Sequence, residues 1–247
     1  MNVFDGAVTA QHYPSAMPFP ATVLDGLSLM SRELFVEASA EAAELERDGA
    51  GYVYDNPLEK KRVVEIAEPR PRHIGEMIDR LSSPEWLEFL SQMTGIDRPL
   101  VDHIGYGSGL SIVPPGGFLG LHRDLELHPK ANLERRVNLC LFLTHSWDDA
   151  WGGHLEFWSE CGGRPKACAR RIRPVFGRIV LFDPQGLHGF PEPIRCPEPV
   201  CRLSLQLFYY TQPRPTAKRT RAWFYLRPGE DCEQKLNDFR LAVRRTQ

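Results

Sequence analysis

The sequence contains no apolar run near the roughly 20 residues that a membrane-spanning helix needs. Residues 1–20 lack the charged start and continuous apolar core of a secretory signal. Neither sign of charge dominates, because 30 Lys and Arg stand against 32 Asp and Glu, for a formal net charge of -2 at pH 7. We therefore expect a cytoplasmic protein, monomeric or homodimeric, that binds neither a membrane nor nucleic acid.

Two local features of the sequence would favour a different ligand. The six cysteines lack the paired short spacing of a disulfide framework or a zinc knuckle, although Cys161 and Cys168 lie near His154 in the sequence and are an alternative zinc site. A basic stretch would favour nucleic acid, but a charge run is usually a solvated face, and its members are Arg214, Lys218, Arg219, Arg221 and Arg227.

The hydrophobic pattern divides the chain into three parts of one predicted domain (1–247). Residues 1–98 are expected to be helical support, with helices at 24–47, at about 73–81, and from Ser83 to Gly95. Residues 99–215 are expected to form the β core, and residues 216–247 a closing segment with a helix at 230–244. Short β-rich runs separated by Gly and Pro predict a β-sandwich or barrel, with strands at 110–113, 136–143, 154–158, 178–182 and 202–210.

His122 and Asp124 form a His-x-Asp motif, and His188 follows 64 positions after the first histidine. One such tripeptide has roughly even odds of occurring by chance in a chain with eight histidines. On a strand, however, residues two apart project from the same face, so both side chains can reach one metal ion. His188 comes just after an apolar run and a turn, as a third ligand from another strand would. Two imidazoles and a carboxylate are the ligand set of mononuclear Fe(II) oxygenases.

Arg202 and Ser204 open the last predicted strand and share one of its faces, while alternating leucines take the other face. The guanidinium would therefore point into the barrel, where a buried cation needs an anion. An internal salt bridge is one explanation. A bound dicarboxylate, held by the planar guanidinium and the hydroxyl, is the other.

Several segments, taken in order, resemble the Fe(II)/2-oxoglutarate dioxygenase superfamily and are most similar to its prolyl 4-hydroxylase-like branch. The resemblance covers roughly residues 100–215 and is carried by Gly116-Gly-Phe-Leu-Gly-Leu-His-Arg-Asp, Arg135-Arg-Val-Asn-Leu-Cys-Leu-Phe-Leu, Trp151-Gly-Gly-His-Leu-Glu-Phe-Trp, Phe176-Gly-Arg-Ile-Val-Leu-Phe, His188-Gly-Phe-Pro-Glu-Pro and Arg202-Leu-Ser-Leu-Gln-Leu-Phe-Tyr-Tyr-Thr.

The resemblance implies a mainly β fold with flanking helices, built on a double-stranded β-helix (jelly-roll) core. It also implies that His122, Asp124 and His188 bind Fe(II), and that Arg202 with Ser204 grips the remote carboxylate of the cosubstrate 2-oxoglutarate. The implied reaction consumes O2, releases succinate and carbon dioxide, and hydroxylates a C–H bond.

Two departures from the family pattern affect the cosubstrate site. Phe142 stands where many relatives carry a tyrosine that helps hold 2-oxoglutarate, and Asn138 or Tyr106 are the candidates to compensate. The long interval between His188 and Arg202 makes Arg195 an alternative carboxylate ligand, although it lies in a proline-rich loop. Asp124 itself is retained where halogenating relatives have a small residue, which favours hydroxylation over halogenation. Desaturation, cyclisation and epimerisation use the same intact triad and stay open.

Three functions remain open from the sequence. The favoured one is hydroxylation of an unactivated C–H bond in a small molecule, such as an amino acid or natural-product intermediate. The second is peptidyl hydroxylation of the prolyl type. The third is a jelly-roll binding protein that holds a metal or ligand without turnover.

Overall fold

A computed structural model describes residues 13–65, 70–102, 105–217, 222–235 and 237. Within these ranges the chain forms three α-helices: α1 (Arg32–Arg47), α2 (Arg72–Arg80) and α3 (Pro84–Thr94). It also forms thirteen strands: β1 (Ala21–Asp25), β2 (Tyr52–Asn56), β3 (Glu59–Glu65), β4 (Leu100–Val101), β5 (Gly109–Val113), β6 (Phe118–Arg123), β7 (Glu134–Phe142), β8 (Leu155–Cys161), β9 (Arg164–Ile172), β10 (Arg178–Phe182), β11 (His188–Phe190), β12 (Arg202–Thr211) and β13 (Trp223–Tyr225).

The strands form one curved, wholly antiparallel arrangement in the order β1-β10-β7-β12-β5-β3-β6-β11-β8-β9. β13 pairs with β6, β2 with β3 and β4 with β12. The largest apolar cluster joins the buried faces of the helices to the leucines of β7 and β12, such as Leu139 and Leu205. The opposite face of these central strands is therefore free to line a cavity.

The three helices predicted within residues 1–98 are present, with one corrected boundary. The first was expected at 24–47, but residues 21–25 form β1 and pair with β10, and α1 begins only at Arg32. Ser31 sets this start, because its hydroxyl accepts a hydrogen bond from Leu34 N at 3.2 Å. α3 likewise begins after Ser83 and ends at Gly95, whose φ of 72° is the left-handed conformation of a helix C-cap.

Region 1–98, expected as helical support, also supplies β1, β2 and β3. The hairpin of β2 and β3 carries mostly tyrosines and charged residues and has no fully buried side chain, so it lacks the alternation that predicts a strand. Of the helix predicted at 230–244, one turn is described at 232–235, and most of the remainder lies outside the described residues. No helix in the described ranges is both long and apolar enough to cross a membrane.

Candidate metal centre

Two adjacent strands bring the three predicted metal ligands together. His122 lies on β6, Asp124 follows that strand directly, and His188 begins β11, directly opposite His122 in the strand register. His122 Nε2 lies 3.7 Å from Asp124 Oδ1, and His188 Nε2 lies 3.6 Å from Asp124 Oδ2. One ligand atom from each residue fits within 4.8 Å of the others. Metal–ligand bonds of about 2 Å require this closeness, so the cluster can hold one metal ion.

Each histidine is oriented by a backbone carbonyl two residues before it. His122 Nδ1 lies 3.0 Å from Gly120 O, and His188 Nδ1 lies 2.9 Å from Gly186 O. Because a carbonyl only accepts, both Nδ1 atoms carry the proton and donate, leaving each Nε2 lone pair turned toward Asp124. Burial, reinforced by His188, lowers the pKa of His122 to about 3. Burial also lowers the pKa of His188. Both rings are neutral near pH 7, as metal ligands must be.

Asp124 is ionised and held from several sides. Its burial favours the protonated form, but His188, Arg135, His122 and a hydrogen bond from Asn138 outweigh this and lower its pKa to about 2. Asn138 Nδ2 donates to Asp124 Oδ2, and Gln185 Nε2 donates to the Asp124 carbonyl at 3.1 Å. Asn138, which was expected near the cosubstrate, therefore forms a hydrogen bond with the Asp124 carboxylate.

Arg202 is 2% exposed and points into the same cavity as the triad. Its Nε donates to Gly153 O at 2.9 Å, and its guanidinium carbon lies 4.8 Å from the Phe142 ring centroid and 4.4 Å from that of Phe190. Burial lowers its pKa, and no described carboxylate opposes that effect. The internal salt bridge considered from the sequence is therefore absent among the described residues, and the guanidinium is a buried cation available to an anionic ligand.

The surroundings of Arg202 explain two sequence features. A Cβ on Gly153 would lie 2.9 Å from Ile194 Cγ2 and 3.2 Å from Arg202 Cδ, so the second glycine of the Trp-Gly-Gly motif makes room for the arginine. Phe142 offers its aromatic face to the guanidinium. Ser204 is fully buried beneath the cavity lining, where its Oγ accepts from Gln206 Nε2 at 3.0 Å and its side chain also hydrogen-bonds Cys140.

Of the remaining predicted site residues, Tyr106 lines the cavity and Arg195 does not. Tyr106 lines the cavity from the loop before β5, with its ring 5.6 Å from that of His128. Arg195 is exposed and does not line the cavity, although its backbone N–H donates to Trp151 O. Cys168 and His154 bond instead to Arg170 O and Asp149, so the alternative zinc site does not form. The triad is the metal-capable cluster found among the described residues.

Arg135 lies next to the metal ligands. It is 6% exposed, its Nη1 lies 3.7 Å from Asp124 Oδ1, and its guanidinium carbon lies 3.7 Å from the Phe208 ring centroid. Its Nε is buried without a hydrogen-bond partner. A register shift places Tyr209 opposite Val137 but Tyr210 opposite Arg135, so Arg136 is the extra residue of a β-bulge. Regular alternation from Asn138 would have turned Arg136, not Arg135, toward the triad.

The cavity between these side chains has a volume of about 310 Å³. Arg202 and Phe190 line it together with the triad, as do Arg135 and Phe208. Tyr52 and Tyr54 of β2, Glu59, Lys61 and Glu65 of β3, and Phe224 of β13 also line it. A mostly apolar pocket with a few convergent charges is the usual form of a small-ligand site.

Residues 108–210 match the family model of the 2OG-Fe(II) oxygenase superfamily. No curated protein matches the chain. Solved structures similar to it include a Pseudomonas putida prolyl-4-hydroxylase (TM-score 0.57, 16% identity, 78% of this chain and 93% of that chain). Two others are a Trichoplax adhaerens prolyl hydroxylase (0.54, 16%, 77% and 83%) and a viral collagen prolyl hydroxylase from Paramecium Bursaria Chlorella virus-1 (0.53, 14%, 77% and 95%).

The predicted double-stranded β-helix (jelly-roll) fold is confirmed, and it carries a metal-capable site. The family match over residues 108–210 and the prolyl hydroxylase fold support a 2-oxoglutarate-dependent dioxygenase. The superfamily implies Fe(II), 2-oxoglutarate and O2 as cofactor and cosubstrates. The residues present fit them, since two neutral imidazoles and a carboxylate suit Fe(II) and the unpaired Arg202 suits a carboxylate.

Proposed function

We propose that His122, Asp124 and His188 hold Fe(II), that Arg202 and Ser204 hold the remote carboxylate of 2-oxoglutarate, and that the protein hydroxylates a small molecule. The observation that carries this proposal is the buried, unpaired Arg202 in the same cavity as the triad. Bound Fe(II), with 2-oxoglutarate and O2, supplies the chemistry that oxidises a C–H bond, with release of succinate and carbon dioxide.

The chain's own residues would bind, orient and shield these groups. The Gly120 and Gly186 carbonyls fix the tautomers of the two histidines, and Asn138 fixes the orientation of the Asp124 carboxylate. Phe142 and Phe190 enclose the Arg202 guanidinium in apolar surroundings, where a charge-assisted hydrogen bond is stronger than in water. Intact Asp124 leaves hydroxylation as the expected outcome.

Charge balance next to the metal ligands favours a substrate that carries a carboxylate, since Glu59 and Lys61 pair with each other at 3.0 Å and Glu65 is exposed. The two positive charges of Fe(II) and the one of Arg202 would be matched by Asp124 and the two carboxylates of 2-oxoglutarate. Arg135 would then remain as a buried cation, with its Nε unpaired. A substrate carboxylate would neutralise it beside the metal. A cavity of about 310 Å³ suits a molecule the size of an amino acid or a small natural-product intermediate.

Peptidyl hydroxylation of the prolyl type is the second candidate. Exposed Tyr52 and Val53 (66% and 74%) lie on β2, a strand paired only with β3 among the described residues. An edge strand beside a cavity could bind an extended peptide. The Trichoplax adhaerens neighbour was solved in complex with a hypoxia inducible factor oxygen degradation domain peptide fragment.

Cytoplasmic location and a monomeric or homodimeric state stay predictions.

Succinate formation by the Fe(II)-loaded protein separates these candidates. Free amino acids and related carboxylic acids, their amides, and proline-containing peptides should be compared as substrates. Stimulation by the acids, and not by the amides, supports the small-molecule proposal, whereas stimulation by peptides alone supports the second candidate. A protein that binds Fe(II) and 2-oxoglutarate anaerobically but never forms succinate would be the non-catalytic binding protein.

A further inference from the structure

The edges of β6, the strand that carries His122, are covered by segments that are distant in sequence. On one edge, β11 pairs His188 with His122. On the other edge, β3 covers the first part of β6, where Glu59 pairs with Leu119. β13 covers the remainder and pairs Phe224 with His122. The ligand-bearing end of β6 therefore has a neighbouring strand from each side.

Phe224 also contacts the imidazole of His122 directly. Its ring centroid lies 5.4 Å from that of His122, with the two planes inclined by 32°. The other side of the imidazole faces His188, with ring centroids 4.3 Å apart. His122 is thus held between one aromatic ring and one ligand ring and is only 7% exposed. Phe224 also lines the cavity, so its ring separates part of the metal cluster from solvent.

Ion pairs fasten the segment 222–235, which contains β13, to the rest of the site. The Arg227 guanidinium binds Glu192, which lies two residues beyond the end of β11. Arg227 Nε and Nη2 also donate to Glu230 at 3.0 and 2.9 Å, and Lys235 Nζ lies 3.1 Å from the same carboxylate. The segment therefore pairs with the strand of His122 and Asp124 and is bound to the chain just after the strand of His188.

We infer that Phe224 is a positioning residue that holds His122 in its metal-binding orientation and slows loss of the metal ion. This inference rests on the proposed metal assignment. An imidazole whose partners fix its orientation binds a metal more tightly than one free to rotate, because less rotational freedom is lost on binding. Removal of the Phe224 ring opens space beside His122 and exposes it to water, while the Gly120 hydrogen bond remains.

Co(II) binding to the metal-free protein tests the inference without turnover. We expect Phe224→Ala to weaken Co(II) affinity by about tenfold to a hundredfold, the range found for groups that orient metal-ligating histidines. We also expect faster release of Co(II) into excess chelator. Phe224→Leu keeps an apolar side chain of similar volume and should restore most of the slow release.

Trp223→Ala is the matched control, because this residue is adjacent in the same strand, aromatic and 65% exposed. It should leave the affinity and release rate unchanged. Equal behaviour of Phe224→Ala and Trp223→Ala overturns the inference. A Phe224→Ala effect that is fully accounted for by loss of the folded circular dichroism signal overturns it as well. Failure of the wild-type protein to bind Co(II) would overturn the metal assignment itself and the inference with it.

Discussion

Replacement of Arg202 by methionine should separate cosubstrate binding from metal binding. Methionine keeps much of the side-chain length and contact with Phe142 and Phe190 but removes the charge. Losing one partner of a buried charge pair costs about 2 to 5 kcal/mol, which corresponds to about a 30-fold to 4000-fold rise in Kd. We therefore expect 2-oxoglutarate affinity to fall within this range while Fe(II) affinity stays near wild type.

The same substitution should not destabilise the ligand-free protein. Arg202 is buried without a described carboxylate partner, so removing it relieves an unpaired charge, and Arg202→Met should melt at or above the wild-type temperature. Added 2-oxoglutarate should then raise the melting temperature of the wild type but not of the variant. Anaerobic titration calorimetry and thermal melts measure both effects. Arg195→Met, on the exposed loop, is the control. Unchanged 2-oxoglutarate affinity in Arg202→Met would refute the assignment.

Three further perturbations test the metal site. His122→Ala should abolish Fe(II) binding in an anaerobic titration, and retained stoichiometric binding would exclude the triad. Asn138→Leu, which removes the hydrogen bond to Asp124, should weaken Fe(II) affinity by about 10-fold to 100-fold, and wild-type affinity would show that this bond is dispensable. Because the folded pKa of His122 is about 3, below its ordinary 6.5, the unfolded chain binds more protons between these values. The stability contributed by neutral His122 should therefore be present above pH 6.5 and be lost as pH falls toward 3. In thermal melts of the metal-free protein, the melting temperature should change less with pH in His122→Asn than in the wild type. An unchanged pH dependence of the melting temperature would refute the low pKa.

Short β-rich runs bounded by Gly and Pro predicted the strands that surround the site. The expected strand at 178–182 matches β10, and those at 136–143 and 202–210 differ from β7 and β12 by no more than two residues at each end. These strands bury one leucine-rich face against the helices, which produces the period-two pattern. The metal triad could be proposed because its three residues lie on or directly beside such strands.

Features that depend on pairing between distant segments could not be predicted from the sequence pattern. β9 exposes most of its side chains and β13 is only three residues long, so neither shows the alternation of a half-buried strand. The bulge at Arg136 arises from how β7 meets β12, and it alone decides which arginine faces Asp124. Asn138 was correctly placed on the cavity face, but its partner, Asp124, lies 14 residues away and is brought near only by the fold.

The edge of β6 that β3 and β13 share has a consequence for folding and metal loading. One part of that edge is covered by residues 59 and 60, roughly 60 residues before His122, and the other by residues 223–225, roughly 100 residues after it. Contacts between such distant segments form late in folding, because the intervening chain must first be ordered. A nascent chain on the ribosome could present His122, Asp124 and His188 before β13 has emerged, but it could not yet enclose them. We expect stable iron loading to follow the pairing of β13 with β6 rather than to precede it.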